Sequence, residues 1–152
     1  MQKDFTPAYP EFHIRLTHKT KQSELFPITQ SADCATVARK IFDADSLEWV
    51  ESFVVIALNR ANKVLGFYKV SQGGITGTIA DPRVILQFAL LSNATSLILV
   101  HNHPSGNLKP SRQDEELTNK IKIAASYFDI KVLDHIILTS EAYTSFADEG
   151  LL

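Results

Sequence analysis

Two histidines one residue apart, His101 and His103, stand where an apolar run ends, in Leu97-Ile98-Leu99-Val100-His101-Asn102-His103-Pro104. Side chains alternate along extended chain, so this pair faces one way. Its imidazole nitrogens can converge on one ion at zinc–nitrogen distances of about 2.0–2.1 Å. A carboxylate from the next helix would complete a His2Asp set and leave a fourth tetrahedral position open for water. That is the catalytic arrangement, since structural zinc sites close with four protein ligands. Asp114 stands in that helix, but Ser111-x-x-Asp114 also reads as a capping box, with Ser111 at the N-cap and Asp114 reaching back to its amide. The pattern leaves both roles open, and they are compatible. A proton acceptor for the water is also required. Glu51 begins the first buried strand and Glu48 precedes it by one turn; spacing alone does not choose between them.

The elements that must hold these groups follow from hydrophobic periodicity. Ser31 is read as the N-cap of a helix that continues to Asp43. Ser52–Leu58 is a β-branched apolar run suited to a buried strand, and Asn59–Lys63 turns it back into Val64–Ser71. The glycine-rich stretch from Gly73 to Gly77 leads to Asp81-Pro82, an N-cap followed by proline at the first helical position. That helix runs to about Ser92, with Ile85, Phe88, Ala89 and Leu91 turned inward. Ser96–Val100 is a second buried strand. Ser111 opens a helix with the stripe Leu117, Ile121, Ala124 and Phe128. Ile130–Leu133 and Ile136–Thr139 make the last strand region, with Asp134-His135 between them as hydrogen-bonding neighbours of the site or of the core edge. Tyr143–Phe146 reads as a closing turn. Strands alternating with helices predict an α/β fold with a mixed sheet covered on both faces. Residues 1–30, with Pro7, Pro10, Pro27 and one alternating stretch from Phe12 to Leu16, are expected to form an arm with one edge strand. Residues 31–152 form the domain. His13 and His18 lie in the arm without a role, and Glu115 and Glu116 read as exposed helix charges.

Composition excludes several classes. Hydrophobic residues make up 45% and charged residues 21% of the 152, the profile of a globular protein. No stretch is apolar for long enough to span a bilayer, and the N-terminus lacks a basic start followed by an apolar segment. The single cysteine, Cys34, fits a reducing compartment, so the cytoplasm is the expected location. It also excludes the zinc deaminases, which need a P-C-x-x-C pair of ligands. A net charge of -2 argues against a broad nucleic-acid surface. Lys19, Lys21, Lys109, Arg112, Lys120 and Lys122 are the residues from which a local basic patch would be built, and they read first as a solvated face.

Glu51, His101-x-His103-Pro104 and Ser111-x-x-Asp114 together resemble the JAMM motif of the JAB/MPN metalloproteases. The longer runs LLSNATSLILVHNHPSG, HNHPSGNLKPS, ADPR at residues 80–83 and VLDHIIL resemble the C-terminal domain of RadC-type proteins, over roughly residues 25–152. The resemblance implies zinc held by His101, His103 and Asp114, Glu51 rather than Glu48 as general acid/base, and Ser111 as the hydroxyl that steadies a tetrahedral oxyanion. It implies a three-layer α-β-α sandwich, cytidine-deaminase-like, and hydrolysis of a peptide or isopeptide bond in a peptide or protein tail. Full-length RadC-type proteins also carry an N-terminal helix-hairpin-helix region, which residues 1–30 are too short and too proline-rich to hold. The expected function is therefore zinc-dependent hydrolysis. The alternatives are a DNA-repair or mobile-element-associated factor and a non-catalytic zinc-binding module.

Overall fold

The computed structural model describes residues 20–73 and 79–152. The stretch Phe12–Leu16 predicted as an edge strand, His13, His18 and Lys19, and the glycine-rich residues 74–78 lie outside them. The elements are α1 (Ser31–Ile41), β1 (Ser52–Leu58), β2 (Val64–Gln72), α2 (Pro82–Leu91), β3 (Ser96–Asn102), α3 (Arg112–Ser126), β4 (Lys131–Leu138) and β5 (Tyr143–Ser145). They form one sheet in the order β2-β1-β3-β4-β5. Its β3–β4 pair is parallel, and β1 is antiparallel to both β2 and β3, as β4 is to β5. This is the mixed, doubly covered α/β sheet expected from the sequence and consistent with the JAB/MPN fold.

Burial on both faces explains why β1 reads as a continuous apolar run rather than an alternation. Phe53, Val55 and Ala57 pack with Leu97 and Leu99 against Ile85 and Ala89 of α2 and Ile121 and Ala125 of α3. Val54, Ile56 and Leu58 point the other way, with Ile98, Val100, Ile136 and Leu138, onto Cys34 and Ala38 of α1 and Phe42 after it. Each large aliphatic side chain so buried contributes roughly 1.5–3 kcal/mol relative to exposure. The first face carries His101, which follows Leu97 and Leu99 at period two.

Several local expectations are corrected. The α1 N-cap is Gln30 rather than Ser31, because Asp33 takes the Gln30 and Thr29 amides at 3.2 and 2.8 Å. The helix stops at Ile41, two residues short of Asp43. In α2, Leu91 is 50% exposed, and Ile85 and Ala89 carry the buried stripe. The α3 stripe is Leu117, Thr118, Ile121 and Ala125; Phe128 lies beyond the helix and is half exposed. A buried threonine displaced the predicted register by one position. Tyr143–Ser145 is a strand paired to β4 rather than a turn.

The largest correction concerns β4. Asp134 and His135 lie inside one continuous strand, not between two. The partners of Leu97 and Ile98 on β4 are Val132 and Asp134, so Leu133 is an extra residue, a β-bulge. The bulge shifts the alternation by one. Val132 and His135 therefore share the α2/α3 face, whereas Leu133 packs on the α1 side. A plain period-two reading turns His135 to the wrong face.

On the α1 side, burial first, then the Asp134 and Asp33 charges, push the Cys34 thiol up to about 12. The thiol is protonated at neutral pH and inert as a nucleophile. Iodoacetamide at pH near 8 should leave Cys34 unmodified in the folded protein and alkylate it in denaturant, read by intact mass. Modification of the native form at the unfolded rate would contradict the packing of α1 on the sheet.

Candidate metal centre

Strand β3 delivers His101 at its end, 1% exposed, and the chain leaves the sheet at His103 with its amide donating to the Leu138 carbonyl at 3.0 Å. The loop then folds back on itself. Gly106 takes a φ of 77°, where a Cβ would be strained, and donates its amide to the His103 carbonyl at 3.0 Å. The fold-back brings the Asn107 carbonyl to 2.6 Å from His103 Nδ1. A carbonyl has no proton to give, so His103 Nδ1 donates, and Nε2 is the ring nitrogen turned to the site.

Asp114 arrives from the first turn of α3. Both expected features of the capping box are present. The Ser111 amide donates to Asp114 Oδ2 at 2.7 Å and its hydroxyl does so at 2.6 Å, while Ser111 Oγ accepts from the Asp114 amide at 3.2 Å. The box aims the carboxylate at the histidines: Oδ1 is 3.2 Å from His101 Nε2 and Oδ2 is 3.7 Å from His103 Nε2. The two Nε2 atoms are 2.8 Å apart. One ligand atom from each of His101, His103 and Asp114 thus lies within 4.8 Å of the others, an arrangement open to a metal ion. Burial raises the Asp114 pKa, but the neighbouring His101 ring and the Ser111 hydroxyl and amide outweigh it and hold the carboxyl well below the usual carboxylate range. It is ionised at neutral pH.

The donor chemistry suits zinc. Two imidazole nitrogens and one carboxylate are borderline ligands, three in number, on a rim that stays partly open, with His103 and Asp114 15% and 16% exposed. Beside His103 lies a cavity of about 260 Å³, walled by Pro104, Ser105 and Gly106 on one side and by Glu48, Thr139, Ser140 and Glu141 on the other.

The two glutamates separate. Glu48 is exposed on the cavity wall and accepts from the Ser140 hydroxyl at 2.8 Å. Glu51 is half-buried, and its side chain makes no hydrogen bond or ion pair with the described residues. In the antiparallel register Phe53 pairs with His101, and their rings stack at 5.9 Å. Glu51 lies two residues before Phe53, just ahead of β1, at the end of the sheet where β3 delivers His101. Ser111 is where the sequence predicts it, but its hydroxyl proton is committed to Asp114.

Three residues support the site: Asn102 and Thr118, which were not singled out from the sequence, and His135, which was read there as a hydrogen-bonding neighbour of the site or of the core edge. Asn102, between the histidines, is fully buried on the opposite face. Its Oδ1 accepts from the Ser52 amide at 2.8 Å, and its Nδ2 donates to the carbonyls of Leu47 at 2.8 Å and Val50 at 2.9 Å. These bonds bracket Glu51 on both sides. Asn102→Leu keeps the branching at Cγ and strands three backbone groups, each worth about 1–3 kcal/mol where buried. The variant should lose roughly 3 kcal/mol or more in denaturant melts; a loss under ~1 kcal/mol would show that the bracket is not held by Asn102. His135 and Thr118 are the others. His135 Nε2 lies 2.7 Å from His101 Nδ1, and its Nδ1 lies 2.6 Å from Thr118 Oγ1. Its ring sits among Phe53 and Phe146, where burial first, then the neighbouring imidazoles, depress its pKa well below the ordinary value. The Asp134-His135 pair was visible in the sequence; its face was hidden by the bulge.

A family model described as the RadC-like JAB domain matches residues 28–151. A UPF0758 protein of Flavobacterium johnsoniae is 45% identical over 128 residues, 84% of this chain and 55% of the relative. UPF0758 proteins of Salinibacter ruber and Streptococcus gordonii are 37% and 35% identical over 91% and 90% of this chain. The chain spans 55–60% of the length of these curated relatives.

Proposed function

Because the chain belongs to the RadC-like JAB domain family, we propose that it is a zinc-dependent hydrolase that cleaves a peptide or isopeptide bond in a peptide or protein tail. The observation that carries this reading is the convergence of one ligand atom each from His101, His103 and Asp114, brought by the end of β3, the loop after it and the first turn of α3. Three protein ligands on a partly open rim match catalytic rather than structural zinc. Zinc bound there would polarise a scissile carbonyl and lower the pKa of a water toward roughly 7.

The chain's own residues supply the rest. Glu51, half-buried and without a side-chain hydrogen bond among the described residues, accepts the proton of the attacking water and returns it to the leaving amine. Ser111 orients Asp114 through the capping box; to donate to a developing oxyanion its hydroxyl turns away from Asp114 Oδ2. The cavity beside His103 gives an extended substrate segment room next to the ligands.

Elemental analysis of gently purified protein should find about one zinc per chain. Glu51→Gln, retained as a trap, should capture peptides that the wild type releases cleaved. No zinc in the wild type and none taken up on addition would refute the metal. Zinc present, with identical intact peptides recovered from both forms, would favour a binding module.

A further inference from the structure

We propose that Arg39 is the positioning residue of the substrate cleft: its guanidinium holds the turn between β4 and β5 as a fixed wall opposite the loop that follows His103. What the cleft receives rests on the hydrolase reading above; the clamp is a property of the chain itself.

The cleft follows from the parallel pair. β3 and β4 end side by side, with Asn102 opposite Leu138, and the His103 amide donates to the Leu138 carbonyl at 3.0 Å. Beyond that bond the two chains part. One continues through Pro104, Ser105 and Gly106, the other through Thr139, Ser140 and Glu141, and the cavity beside His103 lies between them. Ligands gather at such carboxyl ends of parallel strands, where the departing chains leave a crevice. The second chain must return at once, since Tyr143 pairs antiparallel with Leu138. The turn closes on itself: the Thr139 amide donates to the Ala142 carbonyl, and the Ala142 amide donates to Thr139 Oγ1, both at 3.0 Å.

Arg39, in the last turn of α1, takes three carbonyls of this turn. Nη1 donates to Thr139 at 3.0 Å and to Ser140 at 3.1 Å, and Nη2 donates to Ala142 at 3.2 Å. A planar fork with donors on two nitrogens meets three carbonyls at once; an ammonium is a single point and does not span them. The donors are charged, which strengthens each bond. Ser140 is also tied through its side chain, the hydroxyl donating to Glu48 at 2.8 Å. The wall is therefore fixed from α1 on one side and from the segment ahead of β1 on the other. Thr139, Ser140 and Glu141 supply no ligand to the His101, His103 and Asp114 cluster, so Arg39 acts on the fit of the substrate and not on the reacting atoms. A wall already in place spares the substrate from ordering it, and that shows in affinity.

The test uses the full chain with zinc present and, as probe, the peptide most abundant on the Glu51→Gln trap. Its dissociation constant is measured on Glu51→Gln with and without Arg39→Ala, and its KM and kcat on wild type and Arg39→Ala. Arg39→Ala should raise the dissociation constant and KM roughly tenfold, because binding energy then goes into ordering the turn, and leave kcat and zinc content near wild type. Guanidinium ion, far below denaturing concentrations, should reverse much of the rise by occupying the vacated carbonyls, whereas equal sodium chloride should not. Arg39→Lys, which keeps the charge and loses the fork, should resemble Arg39→Ala. A residue that only stabilised the fold would give no affinity loss that guanidinium repairs. Unchanged constants in Arg39→Ala, or a rise that sodium chloride removes as well, overturns the proposal. If Arg39→Ala does not fold, Arg39→Lys decides: weakened binding supports the clamp and wild-type binding overturns it. A peptide that the wild type leaves uncut, bound more weakly in Arg39→Ala, would support the clamp while refuting the hydrolase reading. No peptide captured on the trap would refute the cleft and the role of Arg39 together.

Discussion

Glu51→Gln is expected to lower hydrolysis by roughly 10²–10⁴-fold, the usual worth of general acid/base catalysis, while zinc content and thermal stability hold at wild-type levels. Glutamine keeps the size and removes the basicity. Glu51 precedes β1 and is bracketed by Asn102 bonds to Val50 and Ser52, so its backbone position does not depend on the carboxylate. The side chain makes no hydrogen bond with the described residues, and its loss strands no partner. Glu48→Gln is the control. Glu48 sits on the cavity wall bonded to Ser140 and is exposed, so the change should alter turnover little. Turnover surviving in Glu51→Gln and lost in Glu48→Gln would move the base to the cavity wall. Zinc lost from Glu51→Gln would make Glu51 a ligand, close the open position and favour a structural site.

His103→Ala is expected to lose most of the zinc and still fold. It is the sharper choice of the two histidines because His101 is buried, stacked on Phe53 and bonded to His135, so its removal leaves a hole and an unpaired buried nitrogen. His103 lies off the strand end, partly exposed, with one side-chain bond to the Asn107 carbonyl besides its contacts in the cluster. Zinc that binds only the native state stabilises it by about 2.7 kcal/mol at a hundred times its dissociation constant. The wild-type melting temperature should therefore rise with added zinc, and that of His103→Ala should not. An equal rise in both would place the ion elsewhere.

The chemistry-bearing residues could be read in order along the chain because each stands at an element boundary with a local signature. His101 and His103 end an apolar run, Ser111 and Asp114 form a capping box, and Asp81-Pro82 opens α2, with Asp81 accepting from the Arg83 amide at 2.9 Å. Such signals are written in neighbouring residues. So is the continuous apolar pattern of β1 and β3, which declares a sheet buried on both faces. Choosing Glu51 over Glu48 depended on the resemblance to JAMM proteases, since both are acids near a strand start.

What tertiary structure alone decided is how residues distant in sequence share one face. A bulge at Leu133 is invisible to a period-two count, yet it turns His135 toward His101 across 34 positions of chain. Thr118 reads as a polar break in the α3 stripe until the Asp114 carbonyl and His135 are seen to satisfy its hydroxyl. Asn102 reads as a spacer between two histidines until the opposite face of β3 is seen to hold the approach to Glu51. In each case sequence determined the group and the fold its partner, because a buried polar atom must be paired and only packing selects with what.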